Sequence, residues 1–208
     1  MSDQKYDLQR KYLCGCDFII RRLISLWGRL RLFWLCAIWG VEHAGSGRFI
    51  GPVVLRNTRR GKIRLGRNVV AQANFRMNPI GPICPCLFDV RPGGEIEVGD
   101  GTGMTSVIIS SRKKISIGRY CKIGGGTKII DHNYHAMDAE ARRNRCGDAK
   151  PREIAIGDDV FIGTNAIILK GTKIGDRAVI AAGSVVFGLD IPPDSLVRGN
   201  PAVIVKRQ

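Results

Sequence analysis

Acidic residues are scarce in this chain of 208 residues: 18 Asp and Glu stand against 33 Lys and Arg, a formal net charge of +15. Such an imbalance favours an anionic partner, whether a phosphorylated small molecule, an anionic membrane face or nucleic acid. Long hydrophobic runs are also missing. The longest uncharged apolar stretch, Leu32 to Val41, is about half of what a bilayer-spanning helix needs. The first twelve residues are polar and no small-residue cleavage site follows a clean apolar run, so no cleavable signal peptide is expected. The seven cysteines (Cys14, Cys16, Cys36, Cys84, Cys86, Cys121 and Cys146) contain no paired Cys-x-x-Cys arrangement, which removes the usual zinc-site signature. They read as free thiols in a reducing cytosol, with Cys14/Cys16 and Cys84/Cys86 a weak metal signal. Nucleic-acid binding lacks a recognition motif and interleaved basic and aromatic positions, so it is not expected.

What the chain does have is a beat of six. An aliphatic residue recurs at Ile156, Ile162, Ile168, Ile174, Ile180 and Val186, and Gly157, Gly163 and Gly175 follow three of them directly. Neither an α-helix nor a flat strand repeats at six. A chain with this beat coils in short flat segments, each turning one bulky side chain inward and placing a small residue at the corner. Three segments close one triangular turn, so the expected fold is mainly β, a parallel β-helix. The beat is also present at Val98 and Met104, and again at Ile117, Ile123 and Ile129. Residues 78–95 hold four prolines and three glycines and read as a loop interrupting the early coils. The 27 residues from Ile129 to Ile156 are not a multiple of six, and the polar stretch 131–153 within them reads as a loop pushed out of the solenoid. Loops on a rigid repeat scaffold often carry function. This one holds two of the three histidines. The expected organisation is therefore a tail and helix over 1–48, the β-helix over 49–190 with its loop at 131–153, and a C-terminal segment over 191–208.

Residues 1–17 read as loosely ordered and 18–40 as an amphipathic helix. On a helical wheel Ile19, Leu23, Leu26, Trp27, Leu30 and Trp34 share one side. Arg21, Arg22 and Arg29 lie on the other, with Arg31 at its margin. Two readings fit: a helix lying in the plane of an anionic membrane, or a helix packed on its own β-helix or a neighbouring subunit. The gathering of three tryptophans and four arginines favours peripheral membrane contact through residues 18–40.

Residues 154–207, IAIGDDVFIGTNAIILKGTKIGDRAVIAAGSVVFGLDIPPDSLVRGNPAVIVKR, resemble the hexapeptide-repeat acyltransferases, specifically the branch of sugar and polysaccharide O-acetyltransferases. The resemblance rests on the repeat, the terminal Gly199-Asn200-Pro201-Ala202 segment and the inserted histidine loop. It covers residues 95–207 well, 49–94 weakly and the N-terminal helix not at all. It implies a left-handed β-helix, a homotrimer with active sites between subunits, transfer of an acyl group from a coenzyme A thioester such as acetyl-CoA, and a loop histidine as general base.

Acyl transfer to a hydroxyl needs a group that takes a proton near neutrality, a donor for the oxyanion and a scaffold that holds both substrates. The candidate bases are His135 and His132. His135, followed by Ala136, Met137 and Asp138 and then Arg142, fits the family pattern better and ranks first. Asp131 or Asn133 is placed to orient the ring. Asn133, Asp138 and Arg112 are the candidate acceptor-binding residues. Small-sugar relatives hold the acceptor with Asn and Asp in earlier coils, and Met104 and Arg112 stand at the approximate matches here, so a different acceptor is expected, an anionic one if Arg112 or Lys113 meets it. By the resemblance, Gly163, Thr164 and Ala182 meet the pantetheine arm, Lys206 and, less strongly, Arg198 meet the coenzyme's phosphates, and Asn200 belongs to the terminal segment. Phe161 stands where relatives often have Trp, and Phe187-Gly188 replaces a Thr-Lys, which puts one phosphate contact in doubt. No metal is expected. The implied activity is O-acetylation of a saccharide (a glycan, sugar nucleotide or lipid-linked sugar), with N-acetylation of an amino sugar and a non-catalytic scaffold as rivals. The expected location is the cytoplasm, with peripheral contact at the inner face of the membrane.

Overall fold

The computed structural model describes residues 2–58, 61–81, 84–144 and 150–205, with side chains from residue 17 onward. Its strands wind into three parallel sheets, visited in strict rotation. The first sheet has seven strands, the third has six, and the second has seven plus a terminal strand, Ala202–Val205, that turns back antiparallel on Leu196–Gly199. This is the parallel β-helix that the repeat predicted, of the left-handed kind that the resemblance implied.

The beat of six becomes three stacks of buried side chains, one per sheet. Leu65, Val98, Ile117, Ile156, Ile174 and Ile191 align in the first. Met104, Ile123, Ile162, Ile180 and Val197 align in the second. Leu55, Phe88, Ile109, Ile129, Ile168 and Val186 align in the third. All are buried and belong to one continuous core. Removing each from water contributes roughly 1.5–3 kcal/mol before chain entropy is counted. Between the first and second sheets, each turn passes through the left-handed region: Asn68, Gly101, Tyr120, Asp159, Arg177 and Asp194 all have φ between 56° and 69°. Gly157, two residues before one of them, lies so close to the next rung that a Cβ there would overlap Asp176. The aspartate after the glycine serves the neighbouring rung, since Asp158 Oδ1 accepts the Arg119 N–H at 2.7 Å.

Three expectations change. Residues 2–17 are helical, because helix α1 runs from Ser2 to Trp39 without a break. Strand pairing begins at Glu42, before the periodicity predicted. The Pro- and Gly-rich stretch 78–95 is not all loop: Cys86–Val90 is a full strand between Val53–Asn57 and Ile108–Ser111.

α1 packs on the first turn of the solenoid through one narrow stripe. Leu32 and Cys36 enter the core, and Gly28 lies flat on the Phe49 carbonyl. Arg48 Nη1 donates to Ser25 Oγ at 2.9 Å, and the Arg31 guanidinium donates to the Gly51 carbonyl. A solenoid end needs such a cover, because its last rung has no neighbour.

Candidate active site

The third sheet ends its fourth turn at Ile130, and the chain then leaves the solenoid. Asp131 holds the point of departure. Its carboxylate accepts Ser111 Oγ–H, the Arg112 N–H and the Lys113 N–H, each at 2.8 Å. Its own carbonyl accepts the Arg152 N–H at 3.0 Å, so the loop leaves and rejoins the coil at one point. The carboxylate is fully buried. Burial opposes its charge, but the hydrogen bonds from His132, the two backbone N–H groups and Ser111 prevail and hold its pKa below the ordinary aspartate value.

The fourth partner is His132, whose Nδ1 lies 3.0 Å from Asp131 Oδ1. An ionised carboxylate only accepts, so it fixes the ring proton on Nδ1 and leaves the Nε2 lone pair free. The His132 side chain is buried, and Nε2 has no hydrogen-bond partner among the described residues. Tyr134 covers it, its ring centroid 4.8 Å from the imidazole and tilted by 55°. The Tyr134 hydroxyl reaches Ser110 Oγ at 3.0 Å and Asp89 Oδ2 at 3.3 Å. Asp89 is itself buried and also accepts from Arg91 Nε at 3.1 Å and Ser110 Oγ at 3.0 Å, with Arg56 Nε 3.7 Å from its other oxygen. A polar network on the third sheet therefore underlies the histidine.

The predicted residues divide accordingly. Asp131 and His132 come together. His135 does not join them: it is exposed, and no side-chain hydrogen bond holds it among the described residues. Of the two histidines, only His132 has a carboxylate to fix its tautomer and orientation. Asp138 caps the short helix α2, Ala139–Arg143, by accepting the Ala141 N–H at 2.8 Å, which is a structural task. Asn133 is half-buried on the loop. Arg112 contributes its backbone N–H to Asp131, and its side chain is half-buried. Met104, where small-sugar relatives carry a polar acceptor-holding residue, is buried in the core.

Gly163, Thr164 and Ala182 form a column at the corner between the second and third sheets. The Gly183 N–H donates to the Thr164 carbonyl at 2.9 Å, and a Cβ on Gly163 would overlap the Ala182 backbone. Ala182 is exposed and Thr164 half-exposed. The column is smooth enough for a thin flexible chain to lie along it, with exposed Phe161 and Phe187 on the strands either side of the corner. Arg198 and Asn200 are exposed near the C-terminal end, where Asn200–Pro201 is a cis peptide. Lys206 lies outside the described residues. No cluster of metal-ligating side chains occurs among the described residues.

Sequence reasoning missed Tyr134, Asp89, Ser110 and Arg91. Tyr134 stood between the two histidines and carried a signal, an aromatic in a polar loop. Asp89 was hidden in the stretch assigned to loop, and its contact with Ser110 needs the strand register.

The profile described as "Hexapeptide repeat of succinyl-transferase" matches residues 153–187. The chain is 31% identical over 162 residues to a protein of Escherichia coli (strain K12) whose name assigns it provisionally to lipopolysaccharide biosynthesis O-acetyl transfer, WbbJ. That match covers 75% of this chain and 76% of the other. A Bacillus subtilis (strain 168) protein named provisionally as the acetyltransferase YvoF is 37% identical over 113 residues, 53% of this chain and 59% of that one, so less than two thirds of that relative is spanned. Among solved structures, a hexapeptide-repeat acetyltransferase of Vibrio cholerae O1 biovar eltor, complexed with acetyl coenzyme A, is 38% identical. It superposes with a TM-score of 0.51, covering 57% of this chain and 63% of that one.

Proposed function

Since this chain belongs to the hexapeptide-repeat acetyltransferase family, we propose that it transfers the acetyl group of acetyl-CoA to a hydroxyl of a saccharide, with His132 as general base. The observation that carries this reading is the buried Asp131–His132 pair at the root of the inserted loop. The saccharide acceptor is supported by the O-acetyl transfer in the name of the relative that spans most of the chain.

The chemistry follows from the tautomer. Asp131 keeps the proton on Nδ1, so Nε2 is the basic atom. With Tyr134, whose ring covers the imidazole, swung aside, the acceptor hydroxyl gives its proton to Nε2 as its oxygen bonds to the thioester carbon. The carbon–sulfur bond then breaks, and the imidazolium returns the proton to the departing thiolate, giving coenzyme A and the ester. Asp131 stabilises the imidazolium in between. No acyl-enzyme is needed, so the buried cysteines have no part in it.

The two halves of the site lie at different corners of one protomer. His132 follows the third sheet, whereas Thr164 and Ala182 precede it, with a strand of the third sheet between them. A homotrimer that sets the histidine corner of one protomer against the small-residue corner of the next brings base and thioester together.

Release of coenzyme A from acetyl-CoA, measured across a panel of sugars, sugar nucleotides and lipid-linked saccharides with amino sugars included, tests this reading. His132→Ala is expected to lower kcat by about 10²–10⁴ with acetyl-CoA binding retained, and His135→Ala to change it little. The opposite ranking would return the base to His135. Absence of acetyl-CoA binding would remove the transferase reading altogether.

A further inference from the structure

The face of α1 turned away from the solenoid is apolar along its whole described length. Ile19, Leu23, Leu26, Trp27, Leu30, Phe33, Trp34 and Ile38 are each between 47% and 70% exposed. At 100° per residue they span an arc of about 140°, opposite the stripe of Gly28, Leu32 and Cys36 that packs on the first turn. Ile19 to Ile38 extends this face for about 28 Å. Arg22 and Arg29, both exposed, border one edge and Arg31 the other. On the Arg29 edge, helix and first turn enclose a groove of about 360 Å³ lined by Arg29, Phe33, His43, Arg48 and Asn68. Among the described residues, no helix is long and apolar enough to cross a membrane.

We infer that this face of α1 lies in the plane of an anionic lipid surface, with Trp27 and Trp34 among the acyl chains and Arg22, Arg29 and Arg48 at the headgroup phosphates. Charge favours lipid over a second copy of the chain. Two copies joined through this face would bring their bordering arginines together, on chains that each carry +15. An anionic bilayer pairs with the arginines and takes up the apolar face at once. The groove beside Arg29 has the cationic and polar lining that a phosphate headgroup needs. The inference stands apart from the transferase reading, since it uses no residue of the catalytic loop.

The three tryptophans of the protein, Trp27, Trp34 and Trp39, are all in α1, so selectively excited tryptophan fluorescence reports this helix alone. The full chain is titrated with vesicles of phosphatidylcholine, with and without phosphatidylglycerol, and with brominated acyl chains. Expected are a blue shift, quenching by the bromines and flotation with the anionic vesicles. Arg29→Gln is expected to weaken binding about fivefold. Leu30→Glu with Trp34→Glu, both at exposed positions, should abolish binding with circular dichroism and Tm retained. Two results would overturn the inference. One is flotation without a blue shift, or undiminished in the double variant, which would mean charge attraction by the solenoid. The other is concentration-dependent self-association through this face with no vesicle binding, which would assign it to a second copy.

Discussion

Asp131 and His132 are adjacent in the chain, yet their side chains turn toward each other, with Nδ1 of one 3.0 Å from Oδ1 of the other. Neighbouring residues on a strand point to opposite faces. This pair meets because the chain turns out of the coil at Asp131, while Ser111, Arg112 and Lys113 of the rung before hold the carboxylate still. Asp131 is thus a positioning residue. If His132 is the base, Asp131→Asn should lower kcat by about 10–100-fold with little change in KM for acetyl-CoA and a Tm that stays above the assay temperature. A loss of rate matched by unfolding at that temperature would mean that Asp131 merely supports the loop.

The same carboxylate makes stability depend on pH. Folded, Asp131 titrates below the ordinary value; unfolded, it returns to that value. Its contribution is complete above the unfolded pKa and is lost as pH falls through the folded one. Urea unfolding of the parent and Asp131→Asn should therefore show a gap in stability that is widest near neutrality and closes in acid. A gap that stays constant would assign the loss to packing instead.

If the site spans two protomers, defects at its two corners should complement. His132→Ala and Ala182→Trp would each be inactive alone. Trimers refolded from a mixture would regain part of the parental rate, since some interfaces then pair an intact histidine with an intact small-residue column. A mixture as inactive as its components would place the whole site in one protomer.

Gly28 sets how closely α1 approaches the first turn. A Cβ there would stand 2.9 Å from the Phe49 carbonyl oxygen and 3.1 Å from Ile50. Gly28→Leu should lift the helix and destabilise the fold by about 1–3 kcal/mol, despite the better helix propensity of leucine. Thermal unfolding by circular dichroism measures this, and a Tm at or above the parent's would show that the contact yields.

Burial raises the Cys36 thiol to about 12 and the Cys86 thiol to about 11. Both should resist iodoacetamide near neutral pH and react once the protein is unfolded, which mass spectrometry of tryptic peptides would follow. Alkylation of Cys36 in the folded chain would mean that the helix opens from the solenoid.

The legible part of the fold is where turns are regular. From Ile156 to Ile174 and from Ile162 to Ile180 the register advances by 18, three beats of six. Earlier turns advance by 33 from Leu65 to Val98 and by 39 from Ile117 to Ile156. Inserted residues there break the period without breaking the stack. For that reason Cys86–Val90 passed for loop, and the partnership of Asp89, Ser110 and Tyr134 had no trace in spacing. The wheel of α1 is legible as amphipathic, but the stripe it packs with, Gly28, Leu32 and Cys36, has no bulky apolar pattern of its own to mark it.

Read alone, the sequence determined the architecture, because an inward aliphatic every sixth residue and a small residue at each corner admit few other ways of burying the chain. It determined the loop that carries the histidines, because 131–153 lacks the beat. Which histidine is held, and by what, was decided only by the tertiary structure. His132 and His135 are alike in type, loop and polarity. What separates them is a carboxylate anchored by groups on the rung before, contacts that exist only once the turns are stacked.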